Sequence, residues 1–322
     1  MEQQDNVARR IETKLVRELG ELAVHLEDPE VVEIMVNPDS GIWVEKLGSK
    51  PERSGSIRPA AVLAIINTIS ASLGKSTNAE NPILEGELPI DGSRFEGLVA
   101  PLVTHPTFSI RKRASRLITL DQYVADGILS NEMSDIIIES VNNRHNILIS
   151  GGTGSGKTTL ANAILALIVE THPSDRVICI EDTYELQCAA ENKVMLHSNI
   201  NVSMQDLLKA TLRLRPDRIV VGEVRGSEAL ALLKAWNTGH PGGCCTVHAN
   251  DPSGALQRLE SLAGEGITSS KHLPELITDA VDLVVQIARA PTGRKVTHVA
   301  KVASYDGARY ITHDSTHSEL ID

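Results

Sequence analysis

Aromatic residues are scarce: two Trp, four Tyr and two Phe serve 322 positions. That leaves few platforms on which single-stranded nucleic acid could stack. A basic surplus is missing too, since 31 Lys and Arg face 42 Asp and Glu for a formal net charge of −11. A protein whose main work is gripping duplex phosphates carries the opposite balance, so no strong intrinsic nucleic-acid binding is expected. No stretch approaches the ~18 consecutive apolar residues of a membrane span. The opening Met1-Glu2-Gln3-Gln4-Asp5 lacks the basic and apolar regions of a signal peptide. The four cysteines, Cys179, Cys188, Cys244 and Cys245, form no Cys-x-x-Cys pair, which fits a reducing cytosol better than a disulfide framework. A cytoplasmic protein is expected, and composition leaves peripheral attachment to a membrane surface open. No internal repeat or low-complexity segment interrupts the chain.

The hydrophobic share of 41% with 23% charged residues is that of an ordinary globular chain, long enough for two domains. Val7, Ile11, Leu15, Leu19, Leu22 and Leu26 recur at helical spacing and predict one helix over 7–26. Its apolar face suits packing on its own domain; the alternative is a docking face for a membrane or partner. Val31–Val36 and Ile42–Glu45 read as strands around an Asn37–Gly41 turn, and a helix runs from Pro59 to Leu73 with Gly74 as its stop. Ile83–Leu88, Ser93–Val99 and Phe108–Arg113 are strand-like. Residues 1–115 therefore read as an α+β domain with a largely antiparallel sheet, and 116–130 as a linker with one short helix.

From Asn146 onward strands and helices alternate. Ile147–Ile149, Arg176–Ile180, Arg218–Val224 and Gly243–Val247 are the strands. Thr158–Glu170, Ser203–Leu214, Ser227–Thr238 and Pro252–Ala263 are the helices, with Ser203 and Asp206 placed as N-cap and its partner. Short connections between them imply a parallel sheet covered on both faces over 131–322. Val296–Ile311, with Asp306-Gly307 in its middle, reads as an added hairpin.

Between the first of these strands and its helix lies Gly151-Gly152-Thr153-Gly154-Ser155-Gly156-Lys157-Thr158, a full G-x-x-x-x-G-K-[ST] phosphate loop, followed by Thr159. Its glycines let backbone N–H groups wrap a β-phosphate, Lys157 brings positive charge to the β- and γ-phosphates, the Thr158 hydroxyl reaches Mg²⁺, and the helix N-terminus adds its dipole. Hydrolysis needs more. Ile219-Val220-Val221-Gly222-Glu223 is an apolar strand ending in an acid, with Gly222 where an Asp is usual, so Glu223 has to polarise the attacking water or hold the metal. Ile180–Leu186 gives a second acidic cluster. Parallel strands present their C-terminal ends together, so Glu181 and Glu223 can converge on one magnesium; solvated loop carboxylates are the alternative. His240, Cys244, Cys245 and His248 superficially form a zinc set, but adjacent cysteines of one strand face opposite ways. The better reading is a strand ending in His248, whose imidazole senses the γ-phosphate; a satisfied buried histidine is the alternative.

The phosphate loop, the acidic box at Ile180–Leu186, the second nucleotide motif at Val220–Gly226 and the histidine box Thr246-Val247-His248-Ala249, in this order, resemble the secretion superfamily of hexameric traffic ATPases. The likeness covers nearly the whole chain and is strongest to the short ATPases of type IV secretion and plasmid conjugation. The tetracysteine zinc insert frequent in type II assembly enzymes has no counterpart here. The resemblance implies an α/β architecture, a RecA-like phosphate-loop ATPase domain behind a smaller α+β N-terminal domain. It also implies a homo-hexameric ring using ATP and Mg²⁺ at the inner face of the bacterial inner membrane, with channel components there as partners. In the family, N-domain strand arginines contact the phosphates, which points to Arg94 and Arg111; solvated strand arginines are the alternative, and Arg225 is a further candidate. Other functions left open are a type II secretion or pilus motor, a RecA-like DNA-remodelling ATPase and a non-hydrolysing nucleotide-gated scaffold.

Overall fold

The computed structural model describes residues 2–112, 117–199, 201–265, 272–291 and 293–314. The chain divides into two compact units, Met1–Arg116 and Leu117–Asp322.

The first unit contains α1 (Glu2–Leu19), α2 (Glu21–Glu27), β1 (Val31–Val36), β2 (Gly41–Lys46), β3 (Glu52–Ser56), α3 (Pro59–Ser72), β4 (Ile83–Glu87), β5 (Arg94–Leu98) and β6 (Thr107–Arg111). The single helix expected over 7–26 is broken at Gly20, whose φ of 53° a residue with a side chain adopts only under strain. Leu15, Leu19 and Leu22 are buried across that break, so the apolar spacing was informative although the backbone is discontinuous. Val7 lies outside the residues described at side-chain level. All six strands form one sheet in the order β3-β2-β1-β6-β5-β4, antiparallel at every junction. β3 has the sequence Glu-Arg-Ser-Gly-Ser and is almost wholly exposed, so it carried no apolar alternation to reveal it. α3 covers the sheet with Val62, Ile65, Ile66 and Ile69 fully buried. Each contributes about 1.5–3 kcal/mol.

The second unit begins earlier than the alternation of strands suggested. Of the stretch expected to be a linker, Arg116 (like Arg113, Ala114 and Ser115) lies outside the described residues. Most of the rest folds onto the second unit: α4 (Leu120–Ala125) buries Leu120 and Tyr123, and Leu129 follows them into the same core. The apolar content of this short segment is what turns a connector into part of the domain. α5 (Asn131–Asn142), β7 (Ile147–Ser150), α6 (Lys157–Thr171), β8 (Val177–Glu181), β9 (Lys193–His197), α7 (Met204–Thr211), β10 (Arg218–Val221) and α8 (Glu228–Asn237) come next. β11 (Cys244–Val247), α9 (Pro252–Gly264), α10 (Leu273–Ala280), β12 (Leu283–Ala290), β13 (Gly293–Tyr305) and β14 (Tyr310–Asp314) complete the order. The sheet runs β14-β13-β12-β7-β11-β10-β8-β9. The pairings from β12 to β9 are parallel; β13 and β14 add an antiparallel edge.

Helices cover both faces of this sheet, and strand alternation feeds two cores. Ile147, Ile149 and Cys244 enter the core under α4, α5 and α6, whereas Leu148, Cys245 and Val247 enter the core under α7 to α10. Cys244 and Cys245 therefore face opposite ways, as two neighbours on a strand must. Ser203 caps α7 in a reciprocal capping box with Asp206.

At the entry ends of three strands sits a buried ion cluster. Arg218 is fully buried at the start of β10. Its Nε donates to Asp175 Oδ2 at 2.8 Å, and its Nη1 donates to the Gly242 carbonyl just before β11 at 2.8 Å. Arg144 Nη2 donates to the other oxygen of Asp175 at 2.7 Å. The cluster fastens the edge of the sheet away from the strand ends that carry the phosphate loop and its neighbours.

Candidate active site

Four strands deliver the site residues at their C-terminal ends, where ligands of parallel α/β sheets bind. β7 leads into the phosphate loop, β8 ends in Glu181, β10 is followed two residues on by Glu223, and β11 is followed by His248. Their order in the sheet, β7-β11-β10-β8, sets the spacing. Val247 pairs with Ser150, so His248 emerges beside the first loop residues, and Val221 pairs with Ile180, so Glu223 and Glu181 emerge as neighbours.

The loop from Gly151 to Lys157 is wound around glycines at φ 66° (Gly154) and 96° (Gly156). Gly156 sits at the N-terminus of α6, with Thr158 and Thr159 half-buried in the first turn. A side chain at Gly151 would meet the Ile287 carbonyl at 2.2 Å, so the loop and sheet are too close for any other residue there. Gly152 and Thr153 are exposed at its crest. Within the described residues the buried Ser155 hydroxyl makes no hydrogen bond. A glycine-wound loop at a helix N-terminus, with a lysine amine at its mouth, fits a polyphosphate ligand.

Lys157 is buried at 7% exposure, and its Nζ donates to the Gly152 carbonyl at 3.0 Å. The same nitrogen lies 3.3 Å from His248 Nδ1. His248 Nε2 lies 3.1 Å from Glu223 Oε1. Because Lys157 is only a donor and Glu223 only an acceptor, these partners assign the imidazole proton to Nε2 and leave Nδ1 to accept. Glu223 Oε2 accepts from Arg225 Nη2 at 2.8 Å, and Arg225 Nη1 donates to Asp182 at 2.6 Å. Lys157, His248, Glu223, Arg225 and Asp182 thus form one chain of alternating donors and acceptors. Burial pushes the Glu223 carboxyl up, but the Arg225 hydrogen bond and charge, with His248 and Lys157 adding to them, outweigh it and hold Glu223 below the usual carboxylate range. Glu223 is therefore ionised at neutral pH. His248 is 44% exposed, which removes the reading of it as a buried structural histidine. Glu223 and Arg225 also line an open cleft of about 350 Å³ together with Asp182, Ser203 and Glu228.

Glu181 does something different from what its position at a strand end suggested. It is 2% exposed, and its Oε2 accepts from the backbone N–H groups of Glu185 and Leu186, each at 2.8 Å. Its Oε1 lies 3.1 Å from His197 Nε2. Through these contacts the carboxylate folds the acidic box over itself. No group of three acids, histidines or cysteines among the described residues is placed to hold a metal. Gly222 has a local cause as well: a Cβ there would press on the Glu181 Cβ at 3.0 Å, so the smallest residue leaves room for the inward-turned acid.

Arg94 and Arg111 lie in the first unit, exposed and directly opposite one another on β5 and β6. Glu87 and Glu33 are their outer neighbours across the same sheet row. Like charges face to face across a sheet cost free energy, and an acid on each outer side of this row offsets that cost. Phe95, between Arg94 and Glu96, is fully buried.

Several contributors carried no sequence signal. His197 ends β9, pairs in register with Glu181 and stacks on Tyr184 with ring centroids 3.3 Å apart. Gln286, buried on β12, accepts from the Ser150 hydroxyl at the foot of the loop and donates to the Ala249 carbonyl beside His248. Arg289 and Arg294, opposite one another on β12 and β13, both donate through Nε to the Gly154 carbonyl, at 3.2 and 3.4 Å. Recognising β9 and β12 as strands would have exposed these alignments.

A parallel sheet covered on both faces, a phosphate loop between its strand and helix, and an acid and a histidine on neighbouring strand ends define a RecA-like nucleotide-binding protein. Its sequence narrows the class: the chain belongs to the type II/IV secretion system protein family, which matches residues 19–317. It is 51% identical to the conjugal transfer protein TrbB of Rhizobium radiobacter over 94% of both chains. It is 28% identical to the type IV secretion system protein VirB11 of Bartonella quintana, over 88% of this chain and 92% of that one. Among solved structures, the Legionella pneumophila ATPase DotB aligns with a TM-score of 0.64 at 21% identity, covering 86% of this chain and 78% of DotB, and so shares the fold.

Proposed function

We propose that this chain is a Mg²⁺-dependent ATPase that works as a homo-hexameric ring and energises assembly of, or transfer through, a type IV secretion channel of the conjugative kind. Its place is the cytoplasmic side of the bacterial inner membrane, with inner-membrane channel components as partners. The observation that carries the reading is the continuous contact from Lys157 through His248 to Glu223 around a complete phosphate loop. The 51% identity to a conjugal transfer protein supports the transport role. No helix among the described residues is long and apolar enough to cross a membrane, in keeping with a peripheral attachment.

When bound, ATP with its magnesium supplies the phosphoryl group and the charge that the site residues answer. Lys157 exchanges the Gly152 carbonyl for the β- and γ-phosphates and stabilises the charge that develops on them. The loop N–H groups and Thr159 hold the phosphates, and the Thr158 hydroxyl with Glu223, directly or through water, holds the cation. Glu223 orients the attacking water and accepts its proton, which requires it to yield at least one of its present partners, Arg225 or His248. His248, whose Nδ1 meets the Lys157 amine in this structure, turns to the γ-phosphate once the lysine is engaged. Glu181 acts one layer back, holding the acidic box in shape through the N–H groups of Glu185 and Leu186. Arg94 and Arg111 bring the first unit to the phosphates, so that hydrolysis releases it, an order–release engine of charged contacts.

ATP turnover with and without DNA and with and without inner-membrane lipid, read beside the mass of the assembled particle, tests this. Lipid-responsive turnover by a hexamer is expected. Turnover that rises only with DNA favours the DNA-remodelling alternative, and no turnover at all removes the enzyme reading.

A further inference from the structure

The strand before His248 reads Cys244-Cys245-Thr246-Val247, and Thr246 carries its one hydroxyl. Thr246 is 1% exposed. Valine has nearly the same shape and the same β-branched preference for a strand, so packing alone does not call for the hydroxyl. A buried hydroxyl costs free energy unless it finds a partner. Here the Thr246 hydroxyl donates to the Gly222 carbonyl at 2.7 Å. Gly222 lies just past Val221, where β10 ends, and just before Glu223. On the other side of Glu223, the Val224 N–H donates to the Thr246 carbonyl at 2.9 Å. Gly222 is held from β8 as well, since its N–H donates to the Ile180 carbonyl at 2.9 Å. The backbone on both sides of Glu223 is therefore pinned to its neighbouring strands. Of these three bonds, only the one from the Thr246 hydroxyl involves a side chain. Thr246 also lies two residues before His248, so it ties the end of β10 to the end of β11. That tie sets the separation across which His248 Nε2 meets Glu223 Oε1 at 3.1 Å.

We propose that Thr246 is a positioning residue for hydrolysis: its hydroxyl fixes the Gly222–Glu223 peptide so that the Glu223 carboxylate is aimed at the attacking water. The proposal rests on the ATPase reading above. Thr246 acts through the backbone of Glu223 and not on the phosphates, so it governs the rate of the chemical step and leaves nucleotide binding alone. A small displacement of a water-orienting carboxylate is expensive, because the reacting atoms must be held in one geometry.

Steady-state ATP turnover and ADP titration calorimetry of the full chain, with thermal melts of the ligand-free protein alongside, test this. Thr246→Val keeps the shape and loses the donor. It should lower kcat about tenfold or more while KM and ADP affinity stay within about twofold of wild type. Its ligand-free Tm should fall, because the Gly222 carbonyl loses its donor. Thr246→Ser keeps the hydroxyl and loses the methyl group, and should return kcat to within about threefold of wild type. In a Glu223→Gln background Thr246→Val should cost no further rate, since the group it positions no longer acts as a base. Wild-type kcat in Thr246→Val overturns the proposal, as does a loss of rate that Thr246→Ser shares in full. The serine variant decides by itself if Thr246→Val does not fold. Rate and ADP affinity falling together, or losses that multiply in the double variant, also overturn it, because the threonine then acts on the loop or elsewhere. Absence of turnover in the wild-type chain is a separate result: it removes the ATPase reading, and this proposal with it.

Discussion

Asp175 offers the sharpest test of how the second unit holds together. Its two oxygens take Arg218 Nε at 2.8 Å and Arg144 Nη2 at 2.7 Å. Arg218 is fully buried, so Asp175→Ala strands a guanidinium in the interior with only the Gly242 carbonyl for company. Breaking one side of such a pair costs about 3–5 kcal/mol. For a unit of this size that lowers Tm by about 10 °C. Replacing both partners, as Arg218→Met with Asp175→Leu, should recover much of the loss, because the desolvation of both ions disappears together. The pH dependence follows in sign. Burial pushes the Asp175 carboxyl up, but the hydrogen bonds and charges of Arg144 and Arg218 outweigh it and hold the group below its ordinary 3.8. The stabilisation is therefore fully present above that ordinary value and is lost as pH falls through the lower, folded one. Thermal melts from pH 7 to pH 3 should show wild type losing stability on the acid side and Asp175→Ala losing less. The cluster lies at the strand entries, so the folded fraction of the variant should keep its nucleotide affinity. A melt within 1 °C of wild type, or full stability with nucleotide affinity lost, would refute the reasoning.

Glu223→Gln should keep nucleotide affinity while lowering kcat about 10²-fold or more, measured by steady-state kinetics and ADP titration; equal loss of both would make Glu223 mainly a metal anchor. Glu181→Ala removes the acceptor for two backbone N–H groups and should cost about 1–3 kcal/mol in denaturant melts, with kcat falling as the acidic box loosens. A stable variant with unchanged kcat would remove its organising role. Arg94→Ala and Arg111→Ala should lower kcat more than nucleotide affinity. Neither should cost more than about 0.5 kcal/mol in stability, since each is an exposed surface residue. Wild-type rates in both variants, with the assembly intact, would leave the ATPase and sink the two-unit engine.

What could be read from the sequence was local. The phosphate loop sits between β7 and α6 because its glycines and lysine are contiguous, and the Ser203–Asp206 capping box closes within a few residues. The alternation of Cys244 and Cys245 follows from strand geometry alone. Non-local effects were hidden. The inward turn of Glu181 depends on backbone N–H groups four and five residues on and on a histidine from β9, a half-buried edge strand without a clear apolar run. Residues 117–130 joined the second core because Leu120, Tyr123 and Leu129 found partners far along the chain, and a short apolar segment does not say which core it will enter. The arginine pair over Gly154 exists only because β12 and β13 pair in one register.

The central claim is that the phosphate loop and its neighbours form a hydrolytic site. ATP turnover by the assembled wild-type chain and by Lys157→Ala, under matched magnesium and protein concentrations, tests it most directly. The lysine supplies the charge that the developing phosphate negativity relies on, so steady turnover in wild type and its abolition in the variant are expected. A kcat in Lys157→Ala close to wild type would contradict the account.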